Sequence, residues 1–242
     1  MTTSMKNATF INQNCTCVTL NQEKLKDQLE KTGLLKGIYQ EIILTRPYLF
    51  SSTMVLISEE DSEKMKRLIE IIENIIHSHD FEQKIFQDVP EVARFNPSTK
   101  GVFMGYDFHL TESGPKLIEI NTNAGGVLLN AELAQAQSYC CIEVSIDEDL
   151  EEKIFQTFIS EWTLERGGTK PKRIAIVDEK FRDQFLYPEF LLFQRLFQER
   201  GISCDIVEPH ELRIASEGLS GPSGAIDMVY NRLTDFYLDA PE

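Results

Sequence analysis

Gly105-Tyr106-Asp107-Phe108-His109-Leu110-Thr111-Glu112-Ser113-Gly114-Pro115-Lys116-Leu117-Ile118-Glu119-Ile120-Asn121-Thr122-Asn123-Ala124-Gly125-Gly126 is the stretch on which the fold depends. Val102 to Leu110 and Lys116 to Asn121 are rich in β-formers and flank Thr111 to Pro115, a turn signature, so the spacing predicts a hairpin. A three-residue turn with Gly114 in the left-handed position pairs Thr111 with Pro115 and sets Asp107 directly opposite Glu119. Asn121 then shares their face. Two carboxylates facing each other across a ladder repel, which calls for a cation between them. Asp, Glu and Asn offer the hard oxygen ligands that magnesium takes while leaving positions for water and phosphate. Two alternatives stay open on the residues alone. The solvent face of an ordinary hairpin carries similar groups, and a four-residue turn moves Asp107 opposite Ile118.

Downstream, Asn123 to Gly126 is a short glycine loop opening a helix through about Tyr139. Its amides and the positive helix end suit a phosphate or carboxylate, which makes Gly125 and Gly126 candidate cofactor contacts. A plain turn carries the same residues. The chain contains no G-x-x-x-x-G-K-[ST] loop, nucleophile elbow or zinc-protease signature.

Upstream, apolar residues from Glu59 to His79 fall at helical spacing (Met65, Leu68, Ile69, Ile72, Ile75, Ile76), with Ser58 and Asp61 placed for a capping box. An earlier helix is expected from Gln22 to Tyr39, weakened by Gly33, and Arg46-Pro47 breaks any continuation beyond it. Together these form a helical N-terminal layer. Past the hairpin, Glu148 to Leu164 reads as a helix, and Arg166 to Pro171 is a polar, flexible break. It marks the boundary between domains 1–168 and 169–242. The second contains strands at Arg173 to Asp178, Ser203 to Glu208 and Ile226 to Asn231, and a helix from Pro188 to Arg200 ended by Gly201. Gly218 to Gly224 reads as a loop. The fold class is α/β, ending in a small right-handed parallel unit.

Composition narrows the function classes. The 242 residues carry 24 Lys and Arg against 39 Asp and Glu, a net charge of −15 that repels nucleic acid and anionic membranes. An anionic ligand such as a nucleotide is expected to arrive with its own cations and to meet a local positive site against this field. No segment approaches the ~20 apolar residues that span a bilayer, and a soluble cytoplasmic protein is expected. Cys15, Cys17, Cys140, Cys141 and Cys204 form no C-x-x-C pair and read as reduced thiols. His77 and His79 lie two apart, off a common helical face, and receive no role.

The residues Asp107, Lys116-Leu117-Ile118-Glu119-Ile120-Asn121-Thr122, Gly125-Gly126 and Met228-Val229-Tyr230-Asn231-Arg232 resemble the circularly permuted ATP-grasp ligases. The likeness is to eukaryotic-type glutathione synthetase and, more distantly, glutathionylspermidine synthetase. It covers Val102 to Leu129 and, more weakly, Arg173 to Tyr237. The resemblance implies a partial ATP-grasp-like fold with a β-hairpin metal site and a small substrate domain. It also implies a carboxylate–amine ligase that uses ATP and Mg2+ to make an amide through an acyl phosphate. Carried over residue by residue, it assigns the metal to Glu119 and Asn121 with Asp107 beside them. Substrate, a small amino acid or peptide, falls to Arg232 and Asn123. No catalytic residue is carried over.

The family's pattern is not matched everywhere. Gly105 stands where it has Arg, Asn123-Ala124 replace a serine-containing segment, and Thr234-Asp235 replace Gly-Tyr, so the acid and the amine are left unnamed. The nucleotide-binding lysines and glycine-rich lid belong to a later segment, so ATP binding is expected to need residues outside this chain. Without the family match, Arg232 is read as the surface ion-pair partner of Asp235. The competing class is a non-catalytic small-molecule or partner-binding module keeping part of a metal site. A homodimer is compatible with either.

Overall fold

The computed structural model describes residues 8, 12, 19–30, 39–52, 55–87, 89–95, 97–138, 149–216 and 218–234. Its first elements are β1 (Thr19–Leu20), α1 (Gln22–Glu30), α2 (Tyr39–Thr45), α3 (Glu59–Ile76), α4 (His79–Ile85), β2 (Gly105–Thr111) and β3 (Gly114–Asn121). Next come α5 (Val127–Ala136), β4 (Gln137–Ser138), α6 (Leu150–Arg166), β5 (Arg173–Val177), α7 (Tyr187–Glu199) and β6 (Ser203–Val207). The last are β7 (Arg213–Ala215), β8 (Gly218–Gly221), β9 (Gly224–Ala225) and β10 (Met228–Asn231). The fold is mixed α/β. Among the described residues, no helix is long and apolar enough to cross a membrane.

Contacts divide the chain into two units, Met1–Val18 with Thr53–Ala124 and Thr19–Ser52 with Gly125–Glu242. The expected boundary at 168/169 therefore falls inside the second unit. In the first unit, α3 begins where its cap residue predicts. Ser58 is extended at φ −69° and ψ 152°, its hydroxyl accepts from the Asp61 amide at 3.1 Å, and it donates to the Asp61 carboxylate at 2.8 Å. One donor that the helix start leaves unpaired is thereby satisfied. α3 lies against β3, yet Ile71 and Ile75 on it remain about half exposed, and Ala8 is the one buried apolar side chain of this unit among the described residues.

The second unit holds the dense core. β5 lies between β10 and β6 in a parallel three-stranded sheet, with Ile174 opposite Met228 on one side and Cys204 on the other. Ile174 to Val177 are buried as an unbroken apolar run, as a strand covered on both faces must be. On one face Phe158 of α6, Phe193 and Phe197 of α7 and Tyr230 of β10 pack edge to face, with centroids 5.0 Å apart for Phe158–Phe197 and Phe158–Tyr230 and 5.2 Å for Phe193–Tyr230. On the other, Ala175, Val177, Val207 and Ile226 pack with Leu212, Leu219 and Leu233.

Some sequence expectations differ from what the fold contains. Gly218 to Gly224 is not a loop. β7, β8 and β9 form an antiparallel meander, Arg213 opposite Ser220 and Ser220 opposite Ala225. Glycine and serine are poor strand formers; the ladder and the packing of Leu219 on the core override that preference. The helix expected from Gln22 to Tyr39 appears as α1 and the start of α2, with residues 31–38, including Gly33, outside the described residues, as are Cys15, Cys17, Cys140 and Cys141.

Phe193 is wholly buried against three other rings. Replacing it with Ala is expected to lower the unfolding free energy by about 3–5 kcal/mol, read from urea unfolding monitored by circular dichroism.

Candidate functional site

In the first unit the hairpin sets Asp107 opposite Glu119 and Gly105 opposite Asn121. The pairing matches the expected one, but a different turn produces it. Thr111 pairs with Gly114, not Pro115, and Leu110 with Pro115, a register that would run on to place Asp107 opposite Ile118. A bulge between Asp107 and Phe108 shifts the ladder, so that Phe108 faces Leu117, Ile118 is the extra residue, and Glu119 returns to Asp107. Gly114 takes φ +102°, as its place in the turn requires.

The bulge also sorts the faces. Strict alternation would put Leu117 with Glu119 and Asn121. With one residue absorbed, Tyr106, Phe108, Leu117 and Ile120 share one face and Asp107, Glu119 and Asn121 the other. Tyr106 donates its hydroxyl to the Glu73 carboxylate of α3, a bond that pushes the phenol up to about 12. That contact holds one face of the hairpin toward α3 and leaves Asp107 and Glu119 exposed, with Asn121 half-buried. Two carboxylates and an amide oxygen suit a hard cation. Among the described residues no group of three or more His, Cys, Asp or Glu comes together, so this mixed set is the oxygen cluster that the hairpin offers. Asn123 is half-buried in the turn after β3.

In the second unit the glycine loop is used differently from the expectation. Gly126, at φ +95°, precedes α5, and its amide donates to Glu189 Oε2 at 2.7 Å, while the Leu128 amide donates to Oε1 at 3.0 Å. The anion at this helix end is thus a side chain of the protein itself. Glu189 is 1% exposed. Burial pushes its carboxyl above the ordinary Glu value, while the amides of Gly126, Leu128 and Val127 and the charge of Arg232 pull it back.

Gly125 has no room for a side chain. A Cβ there would lie 2.6 Å from both Arg232 Nη2 and Leu186 Cδ1 and 3.3 Å from Glu189 Oε2. Arg232 leaves the carboxyl end of β10, its amide donating to the Val177 carbonyl at 2.8 Å and its Nη1 to the Tyr230 hydroxyl at 3.3 Å. Asp178, next after β5 and 5% exposed, accepts from the Glu179 amide at 2.8 Å. Burial raises its carboxyl, and the Glu179 amide and Arg232 oppose that rise. Asp235, the expected surface partner of Arg232, lies outside the described residues.

Sequence reasoning missed Glu189, Asp178 and Arg46. Glu189 is an acidic residue in the first turn of its own helix, and nothing in the local sequence reveals that it serves the neighbouring one. Arg46 looked like half of a helix-breaking pair. Its guanidinium donates to the carbonyls of Arg182 at 2.9 Å, Gln184 at 2.9 and 3.3 Å and Phe185 at 3.1 Å, fixing the β5–α7 loop that brings Leu186 to Gly125. No protein-family model, curated protein or solved structure matches the chain.

A raised carboxyl binds its proton more tightly in the folded state, so the contribution of Glu189 to stability is fully present below the ordinary Glu value of 4.5 and is lost as pH climbs through the raised one. Asp178 acts in the same direction. Glu189→Gln is expected to flatten that fall, read from urea unfolding between about pH 4 and about pH 8, with the remaining slope due in part to Asp178. Parallel curves for wild type and variant would mean that Glu189 does not contribute this linkage.

Proposed function

We propose that this chain supplies the hairpin and α/β portion of an ATP-dependent carboxylate–amine ligase resembling glutathione synthetase, with an ATP-grasp-like body. The observation that carries the proposal is the pairing of Asp107 with Glu119 on an exposed face that also holds Asn121. Like charges held opposite each other on a ladder are unfavourable, and a divalent cation removes the conflict. Bound there, Mg2+ supplies charge neutralisation for phosphate oxygens.

In such a reaction a substrate carboxylate oxygen attacks the γ-phosphorus of ATP and ADP leaves. An amine nitrogen then attacks the acyl carbon, loses a proton, and inorganic phosphate departs. Glu119 and Asn121 hold the cation in this reading, with Asp107 binding directly or through water. Arg232 orients a substrate carboxylate through its fork of donors, and Asn123 contributes a polar contact. Gly125 gives Arg232 its space. The amide of Gly126 is committed to Glu189, so the grip on ATP belongs to other residues.

That same commitment favours a second reading, a non-catalytic binding module that keeps the metal pair. Titration with Mn2+, followed by electron paramagnetic resonance, is expected to show saturable binding that Glu119→Gln and Asp107→Asn each weaken at least about tenfold, since each replaces an anionic oxygen ligand with a neutral one. Equal binding in all three proteins sinks the metal assignment. Nucleotide binding that requires Mg2+ favours the ligase, and metal binding without nucleotide binding favours the module.

A further inference from the structure

A cavity of about 630 Å³ opens in the second unit on the sheet face opposite the aromatic cluster. Val177 and Val229 from the parallel strands, Leu212 and Leu219 from the meander region, and Leu233 beyond β10 give it an apolar lining. Its size falls within the range of small-molecule sites, ~300–1,000 Å³. Val177 and Asn231, both in the lining, are the last residues of β5 and β10. β5 is joined to β6 on one side and pairs with β10 on the other, so the chain order reverses there. Open parallel sheets take ligands at the carboxyl ends of strands beside such a reversal.

The charge of the lining is the second observation. In a chain of net charge −15 the described residues of its lining include no carboxylate, yet they include Arg213 and His210. Arg213 Nη1 donates to the carbonyls of His210 at 2.8 Å and Leu212 at 3.1 Å, which fixes the guanidinium, while its Nε and Nη2 have no protein partner among the described residues. Glu208, outside the lining, lies 3.5 Å from His210 Nδ1. Ile214, also in the lining, is 94% exposed, an apolar surface that a ligand would cover.

We propose that this cavity binds a small organic monoanion with a hydrocarbon body, its acid group on Arg213 and His210 and its apolar part along Val229, Leu219 and Leu212. The site is separate from the hairpin carboxylates and stands or falls without them. Octanoate is the probe, with octylamine as the cationic control, titrated into the full chain labelled with 13C at its Leu, Val and Ile methyl groups. The expected result is a saturable shift of the Leu212, Leu219 and Val229 methyl signals, with octylamine at least about tenfold weaker. Arg213→Gln should weaken octanoate about tenfold or more, as loss of a charge-assisted hydrogen bond does. If that variant loses its methyl dispersion, Ile214→Glu takes its place, since an exposed side chain can be changed without disturbing the core and the new carboxylate repels the probe. Octanoate that moves no cavity methyl, octylamine that binds as tightly, or a folded Arg213→Gln with unaltered affinity overturns the proposal.

Discussion

The second unit is organised around a charge that water cannot reach. Burying a carboxylate is unfavourable unless hydrogen bonds replace its hydration, and Glu189 obtains them from the amides at the start of α5. Helix N-termini carry both unpaired amides and a partial positive charge, so this is a place where an internal anion can be held. The bond joins the first turn of α7 to the first turn of α5. The need for glycine at position 125 has the same origin, because the loop that presents those amides passes too close to Glu189, Leu186 and Arg232 for any side chain. Arg46 secures the same arrangement through main-chain carbonyls of the β5–α7 loop.

The first unit obeys a different physical regime. Its described residues bury little apolar surface, and its organisation rests on polar devices, the Ser58 cap on α3 and the Tyr106–Glu73 bond. Those devices suffice to orient the hairpin, since once Tyr106 faces α3 the alternation of the strand turns Asp107 away from it. Asp107 and Glu119 make the exposed side of the hairpin locally negative, whereas the cavity beside the meander carries the basic groups Arg213 and His210.

Features that depend on local pattern were legible in the residues. Ser58 before an apolar stripe announced α3 within a residue of its start, and the apolar run at 173–178 announced the central strand. The opposition of Asp107 and Glu119 was also legible, although the three-residue turn that the spacing predicts is not the one that forms, and the bulge compensates for the difference. What escaped was decided by tertiary contact. No periodicity marks Gly218 to Gly224 as strand, because only pairing with β7 makes it one. Glu189 and Arg46 act on main-chain groups 61 to 139 residues away, beyond what any local pattern can disclose.

The bulge at Ile118 bears on how such a hairpin can change over generations. A continuous ladder translates each single-codon insertion or deletion into a half-turn of every side chain beyond it. Here one surplus residue is already accommodated between Leu117 and Glu119. Loss of codon 118 would close the ladder with Asp107 still facing Glu119, and one codon gained between Asp107 and Phe108 would fill the gap on the other strand. At this point the length of the hairpin can drift while its two carboxylates stay on a common face.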